Sequence, residues 1–261
     1  MQTTPATAWS PAGDRIKTPW AAEVSPGNVL PEYPRPRLVR PDWQNLNGLW
    51  DFAILPKERG EPAVFDGKIL VPFPAESSLS GVGRRVGAEN ELWYRREFTV
   101  PAAWRGRNVL LHFGAVDWRA DVLVNGVPAG SHTGGFAPFS FDITAALAGR
   151  ETHTLVVRVW DPTDDHDQPR GKQAGHPDFA PHIWYSPVTG IWQTVWLEPV
   201  PAGYIKDIQS VPDIATGALA VTVTADFLPG SARVPRAGTG VPPMPSDPVS
   251  GGTPDTARET R

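Results

Sequence analysis

The sequence of 261 residues contains no cysteine, and it has neither a long apolar run nor a large excess of charge of one sign. Without cysteine there is no disulfide framework, no thiolate chemistry and no zinc–sulfur site. No apolar stretch approaches the ~18 residues that a membrane-spanning helix needs. The 24 basic and 28 acidic side chains give a net charge of −4, which argues against a nucleic-acid-binding surface and against a polybasic membrane anchor.

The N-terminal segment also lacks the apolar core of a secretory signal, because the residues after Met1 are polar and interrupted by proline. We therefore expect a cytoplasmic protein. Residues 1–37 are rich in proline and small polar side chains, and proline disfavours both helices and strand ladders. This segment is predicted to be an extended arm that lies over the surface of the domain.

Proline, glycine and tryptophan are abundant, with 30, 25 and 11 residues respectively. The first two are typical of a turn-rich β protein, and apolar residues make up 40% of the chain, enough for a substantial core. Alternation of apolar and polar side chains predicts strands, for example at residues 47–55, 92–99 and 153–160. Between two such runs, Asn125-Gly126 predicts a hairpin with a type I′ turn, which needs positive φ at both residues. The pattern predicts an all-β, antiparallel β sandwich with aromatic side chains in its core.

The end of the chain is less regular. Residues 204–211 and 218–227 are predicted to form two further strands. Beyond them, residues 228–261 contain few large apolar side chains and much proline, glycine, serine, threonine and arginine. Such a composition cannot bury enough surface to offset the entropy of the chain, so we expect a disordered tail. The abrupt change suggests a truncated or frameshifted reading frame, and a natural disordered tail is the alternative.

Six segments, in this order, resemble one known family. They are residues 46–52 (LNGLWDF), 71–74 (VPFP), 92–96 (LWYRR), 124–126 (VNG), 134–139 (GGFAPF) and 189–198 (TGIWQTVWLE). This set is similar to the N-terminal sugar-binding domain of glycoside hydrolase family 2, the group of β-galactosidases, β-glucuronidases and β-mannosidases. The resemblance implies a jelly-roll-like, galactose-binding-domain-like sandwich at residues 38–200. It also implies that residues 201–227 are the first strands of an incomplete immunoglobulin-like domain.

The resemblance does not supply a catalytic site. In family 2 both catalytic glutamates lie on a (β/α)₈ barrel, and this chain has neither the βα repeats nor the length for one. Asn90-Glu91 resembles the Asn-Glu pair of the family's acid/base, but it directly precedes a sandwich strand, so it is predicted to be an exposed turn. We name no catalytic residue, and we expect no cofactor.

The best ligand candidate is the polar excursion at residues 161–181, which has no apolar periodicity. Its carboxylates and cations, chiefly Asp165, Asp167, Arg170 and Lys172, are groups that bind sugar hydroxyls through charge-assisted hydrogen bonds. The alternative is a solvated loop with local ion pairs. Adjacent acidic residues at 164–167 suit Ca²⁺ only weakly, so no metal site is predicted.

Further candidates follow from side-chain chemistry and from the resemblance. Trp184 and Tyr185 can stack against a pyranose ring, or they can pack in the core or at a domain interface. In β-galactosidases of the family an Asp of this loop enters the barrel's active site, and this chain has His182 at that position. Likewise, Pro74 stands where some relatives have an asparagine that contacts sugar.

Three functions fit these observations. The first is the N-terminal domain of a family 2 glycoside hydrolase, not catalytic by itself, with carbohydrate as ligand of the full enzyme and a missing barrel domain or other subunit as partner. The second is a stand-alone carbohydrate-binding module with the same sandwich. The third is a scaffold domain that only packs against the rest of an enzyme.

Overall fold

The computed structural model describes residues 9–13, 17–164, 168–174 and 183–226. Within these residues the chain is all-β, as predicted, with fourteen strands and four short 3-10 helices. The strands are β1 (Gln44–Asn45), β2 (Gly48–Pro56), β3 (Gly67–Val71), β4 (Asn90–Thr99), β5 (Asn108–Phe113), β6 (Val116–Asp117), β7 (Arg119–Val124), β8 (Val127–Thr133), β9 (Phe139–Asp142), β10 (Thr152–Trp160), β11 (Gly190–Ile191), β12 (Val195–Val200), β13 (Tyr204–Asp213) and β14 (Ala218–Asp226). The 3-10 helices are Pro19–Glu23, Ser78–Ser80, Ala102–Trp104 and Thr144–Leu147.

Two antiparallel sheets form the sandwich. The larger has the strand order β3-β2-β4-β10-β7-β8, and the smaller has the order β1-β12-β5-β9. The short strands β11 and β6 form a separate two-stranded pair. In the described part of the chain, no helix is both long enough and apolar enough to cross a membrane.

The core lies between the two sheets and is aromatic, as the alternation predicts. Trp50 and Tyr94 of the larger sheet are fully buried and meet edge to face, with ring centroids 6.4 Å apart. From the smaller sheet, Phe113 and Leu197 are equally buried in the same cluster. Burial of each such side chain contributes on the order of 1.5–3 kcal/mol to folding. This burial explains why the strands that the sequence pattern predicts form in the structure.

The predicted hairpin turn is confirmed. Asn125 and Gly126 have φ of 54° and 79°, and Val124 pairs with Val127 where β7 turns into β8. The side chain of Asn125 also accepts a hydrogen bond from the Thr154 amide at 2.9 Å and donates one to the Ala146 carbonyl at 2.8 Å. The turn is therefore tied to β10 and to the segment before it.

The arm is anchored through a buried carboxylate. Glu198 of β12 is fully buried and forms ion pairs with Arg35 and with Arg40, whose Nε lies 2.9 Å away. It also accepts hydrogen bonds from Tyr33 and from Trp196 Nε1 at 2.9 Å. In the described part of the arm the regular element is the 3-10 helix Pro19–Glu23, and the extended arm stays a prediction.

One prediction was wrong. Asn90-Glu91 is not an exposed turn, because β4 begins at Asn90 and Glu91 is buried opposite Leu55 of β2. The turn lies two residues earlier, at Ala88 and Glu89, where the Asn90 amide donates to the Gly87 carbonyl at 2.9 Å. The pairing with its partner strand, rather than the local sequence, draws Glu91 into the sheet.

The last two strands pair only with each other, from Tyr204↔Asp226 to Asp213↔Ala218. Their apolar side chains, such as Val211, Leu219, Val221 and Val223, are exposed. The proposed domain boundaries at residues 37, 200 and 227 stay predictions. The tail predicted at residues 228–261 lies outside the described residues.

Candidate functional site

Three buried carboxylates gather at one end of the sandwich. Asp117 ends β6, Asp161 directly follows β10, and Glu76 lies in the connection after β3. Each is at most 2% exposed. A buried carboxylate is costly unless it is hydrogen-bonded or protonated, so their partners determine what this end of the domain can do.

Thr189 joins two of the three. Its hydroxyl donates to Asp161 Oδ2 at 3.0 Å, and its backbone N–H donates to Glu76 Oε2 at 3.0 Å. Burial raises the pKa of Glu76 to about 7, and the nearby charge of Asp161 adds to that rise. Burial likewise raises the pKa of Asp161, against the hydrogen bonds of Thr163 and Thr189 that favour its charged form. The segment before β11 is thus held by two carboxylates, and protonation of one of them relieves the repulsion between their charges.

Gln173 fixes the third carboxylate. Its amide Nε2 donates to Asp117 Oδ2 at 2.8 Å, and its Oε1 accepts from the Val188 amide at 2.5 Å. Burial raises the pKa of Asp117 to about 7, with a further contribution from the charge of Asp161. The backbone on both sides of Gln173 is paired with Tyr185, because the Tyr185 amide donates to the Lys172 carbonyl and the Ala174 amide donates to the Tyr185 carbonyl.

These contacts shape a small cleft of about 150 Å³. It is lined by acidic, basic, amide and aromatic side chains, namely Asp117, Phe136, Arg170, Lys172, Gln173, Tyr185 and Trp192. Trp192 is oriented by a hydrogen bond of 2.8 Å from its Nε1 to the Gly135 carbonyl, and it meets Phe136 edge to face. Aromatic faces beside hydrogen-bonding groups are the chemistry that suits a sugar ring and its hydroxyls.

A second cleft, of about 490 Å³, adjoins the first through shared residues Tyr185 and Ser186. Glu76 and Pro74 line it from the connection after β3. Tyr185 is 66% exposed, so its ring is accessible from both clefts.

The structure brings together three of the residues proposed from the sequence. Arg170, Lys172 and Tyr185 line the same cleft. Trp184 lies beside it, but the guanidinium of Arg170 covers its ring at 4.7 Å. That contact leaves Tyr185 as the better exposed of the two aromatic rings. Asp165, Asp167 and His182 lie outside the described residues, as does most of the acidic run considered for Ca²⁺, and no cluster of metal-ligating side chains occurs among the residues that are described.

The excursion is not a solvated loop where it is described. Asp161, Thr163, Gln168 and Gln173 are all buried, and Gln168 donates to Asp161 Oδ1 at 3.3 Å. Sequence reasoning missed Glu76 and Asp117, and it included Asp161 and Gln173 only as parts of the polar excursion. The available signal was a polar side chain directly at the end of a strand, as at Asp117 and Asp161, where strand ends from distant parts of the chain meet.

Comparison with known proteins places this fold in a family. Residues 72–187 match the family described as glycosyl hydrolase 2 galactose-binding domain-like. The chain is 33% identical over 132 residues to a β-glucuronidase of Paenibacillus borealis, which covers 48% of this chain and 22% of that protein. It is 30% identical over 182 residues to a β-galactosidase of Bacteroides ovatus, which covers 70% of this chain and 19% of that protein.

Solved structures agree with the sequence comparison. The β-glucuronidase of Faecalibacterium prausnitzii superposes with a TM-score of 0.56 at 28% identity, over 74% of this chain and 37% of that one. The chain therefore spans about a fifth of the length of the two relatives named above and about a third of the solved enzyme. The six sequence segments, the antiparallel sandwich and these matches together show that this chain carries the galactose-binding-like N-terminal domain of glycoside hydrolase family 2.

Proposed function

We propose that this domain acts as the non-catalytic, carbohydrate-facing part of a family 2 glycosidase. The observation that carries the proposal is the cleft in which Arg170, Lys172 and Tyr185 meet Asp117 and Trp192. In this function the domain holds part of the sugar, and bond cleavage belongs to another part of the enzyme. The names of its relatives, β-glucuronidase and β-galactosidase, support a β-glycoside as substrate of the whole enzyme.

Charge supports the same assignment. Arg170 and Lys172 supply two cations, while burial raises the pKa of Asp117 to about 7. At neutral pH Asp117 can therefore donate as well as accept a hydrogen bond, which suits a sugar hydroxyl. The cations suit an oxygen-rich or acidic sugar.

Exposed apolar side chains around the cleft support contact with a further domain or subunit. Phe136, Ile183 and Tyr185 are 53%, 61% and 66% exposed. Apolar side chains grouped on a surface mark interaction sites, and a sugar enclosed between this surface and a catalytic domain would be shielded from water.

The test uses the purified chain with nitrophenyl β-glucuronide and β-galactoside for turnover, and oligosaccharides for calorimetry. We expect no turnover. Binding is expected to fall in Tyr185→Ala, which removes the ring, and to persist in Tyr185→Phe, which keeps it. Turnover by the chain alone would contradict the non-catalytic assignment, and equal binding by both Tyr185 variants would contradict the role of the cleft. Saturable binding by the chain alone fits both the enzyme domain and the stand-alone module, for which the exposed ring of Tyr185 is the supporting observation, and an absence of binding would favour the scaffold domain.

A further inference from the structure

A larger cleft lies at the other end of the sandwich. Its volume is about 710 Å³, within the range of small-molecule sites. It is lined by residues 99–107, around the start of the β4–β5 connection, and by residues 144–153, before and at the start of β10. Because Thr99 pairs with Thr152 while Leu92 pairs with Val159, it is separated from the carboxylate cluster by the length of these strands, about 25 Å.

Two cations in this cleft have no partner in the described part of the chain. Arg105 and Arg150 are exposed and line the cleft, yet neither makes an ion pair or a side-chain hydrogen bond with a described residue. Arg107 differs, because it pairs with Asp42 at 2.6 Å and donates to the Pro199 carbonyl at 2.8 Å. Glu151 is the acidic residue of the lining. The lining of the cleft thus contains one carboxylate and two guanidinium groups that have no ion-pair partner among the described residues.

A buried histidine adds a directed donor. His153 lines the cleft and is 2% exposed. Asn125 Oδ1 accepts from the Thr154 amide, so Nδ2 of Asn125 is the atom 3.0 Å from His153 Nδ1. An amide nitrogen only donates, so Nδ1 of His153 accepts and the ring proton lies on Nε2. That Nε2–H has no acceptor among the described residues.

We propose that this cleft is a second binding site, for a small molecule that carries a carboxylate or phosphate group. The anion pairs with Arg105 and Arg150, and it accepts from His153 Nε2–H. Apolar atoms of the ligand lie against Val100 and Leu147, which also line the cleft. Acid sugars and sugar phosphates have this combination of an anionic group and a partly apolar ring. Guanidinium groups favour such anions because they can donate two parallel hydrogen bonds.

The first experiment is calorimetric titration of the full chain with glucuronate, glucose 6-phosphate and glucose. We expect binding of at least one of the two acids and no binding of glucose, and the acid that binds identifies the anionic group. Arg105→Gln/Arg150→Gln should weaken that binding about tenfold or more. Arg59→Gln, an exposed arginine outside the cleft, is the matched control and should not change it. Arg170→Gln, in the carbohydrate cleft, tests whether the ligand binds there instead.

The proposal fails if glucose binds as tightly as the acids, if neither acid binds, or if the double variant binds as the unaltered chain does. Weakening by Arg170→Gln alone would place the ligand in the carbohydrate cleft and would equally overturn it. Since both substituted arginines are exposed, loss of folding should not confuse the result, and the melting temperature of the double variant checks this.

A second measurement locates the ligand. Burial and the charge of Arg150 lower the pKa of His153. A bound anion offsets the charge of Arg150, so the pKa of His153, followed by NMR, should rise by about half a unit or more when the acid is bound. The resonance is assigned by its loss in His153→Gln. An unchanged pKa of His153 in the ligand-saturated chain would show that the anion binds elsewhere.

Discussion

Gln173 donates a hydrogen bond of 2.8 Å to the carboxylate of Asp117, a residue 56 positions earlier in the chain. The same side chain accepts from the Val188 amide. Both groups of one amide are therefore used to hold the excursion after β10 against β6 and against the segment that leads into β11. The geometry of the proposed carbohydrate cleft depends on this bridge.

Replacing this amide should loosen the cleft. Gln173→Ala leaves Asp117 and the Val188 amide without their partner, which should lower the free energy of unfolding by about 1–3 kcal/mol. Hydrogen exchange at the amides of Tyr185 and Val188 should become faster. Gln193→Ala, at an exposed position, is the control and should change neither measurement. Unchanged exchange at Val188 in Gln173→Ala would contradict the bridging role.

The carboxylate cluster should make stability depend on pH. Burial raises the pKa of Glu76 from 4.5 to about 7 and that of Asp117 from 3.8 to about 7. The native state therefore holds protons that the unfolded chain has already lost, so this contribution is complete below pH of about 4 and is lost as the pH rises to about 7. Glu76→Gln cannot ionise, so it removes the part of this loss of stability that Glu76 causes. Its amide oxygen can still accept the hydrogen bond from the Thr189 amide.

We expect Glu76→Gln to be more stable than the unaltered chain at pH 8, by on the order of 1–3 kcal/mol, and close to it at pH 5. Urea denaturation at the two pH values measures the difference. Glu61→Gln, on the exposed surface, is the control. A variant that is equally or less stable at pH 8 would show that the pKa of Glu76 is not raised in the folded chain.

The ion pairs of Glu198, which anchor the arm, should lose their contribution to stability at low pH. The contribution of Glu76 and Asp117 is instead lost at high pH. His112 Nε2 lies 3.3 Å from Glu198 Oε2. The hydrogen bonds of His112 and Tyr33, and the charge that His112 carries when it is protonated, outweigh the burial that raises the pKa of Glu198, and they lower it to about 2. Its contribution to stability is present above pH of about 4.5 and is lost as the pH falls to about 2. Glu198→Gln should cost about 3–5 kcal/mol at pH 7, because it leaves Arg35 and Arg40 without their anion.

Denaturation of Glu198→Gln and of Glu97→Gln, an exposed residue of β4, distinguishes this cost from a general effect of removing charge. The difference in the free energy of unfolding between Glu198→Gln and the unaltered chain should become smaller as the pH is lowered from 5 to 2. If the difference stays constant over that range, the ion pairs are not its cause.

A close backbone approach sets the position of β11. Gly190 has φ of 97°, and a Cβ at this residue would overlap the hydroxyl of Tyr94. Gly190→Ala should therefore destabilise the domain by about 3 kcal/mol or more. Gly217→Ala is the matched control. Gly217 has φ of 66°, and no atom lies within 4 Å of the position that a Cβ would take there, so this variant reports the backbone strain alone.

Combining Gly190→Ala with Tyr94→Phe should recover part of the lost free energy of unfolding, because the Tyr94 hydroxyl is the atom nearest to the added Cβ. A double-mutant cycle from thermal unfolding measures this coupling. Additive effects of the two substitutions would mean that the overlap does not determine the cost.

Several parts of the fold follow from local sequence. Strands β2 and β10 have apolar side chains at every second position, as at Trp50, Phe52 and Ile54 or at Leu155, Val157 and Val159, and this period indicates which side faces the core. Asn125-Gly126 fixes the turn after β7 because few other residues adopt positive φ. Glu91 shows where such reasoning fails, because a charged residue was drawn into β4 by pairing with Leu55.

The candidate site could be predicted only in part. Arg170 and Lys172 were found because charge is concentrated in one polar stretch, and Tyr185 was found because its ring can stack against a sugar. Glu76, Asp117 and Asp161 were not, since each is a single acidic residue in an unremarkable local context. Their shared environment arises only when the connection after β3 meets the ends of β6 and β10.

The sequence by itself determined the all-β class, the strands, the aromatic core and the family, because side-chain period, turn chemistry and short motifs are local properties. Only the tertiary structure decided which carboxylates are buried together, which aromatic ring remains exposed, and that Arg105 and Arg150 line the same cleft as His153 at the far end. Those properties depend on strand order and on contacts between residues far apart in the chain. Burial and charge coupling, which set the pKa of a group and its hydrogen-bond partners, exist only once such contacts form.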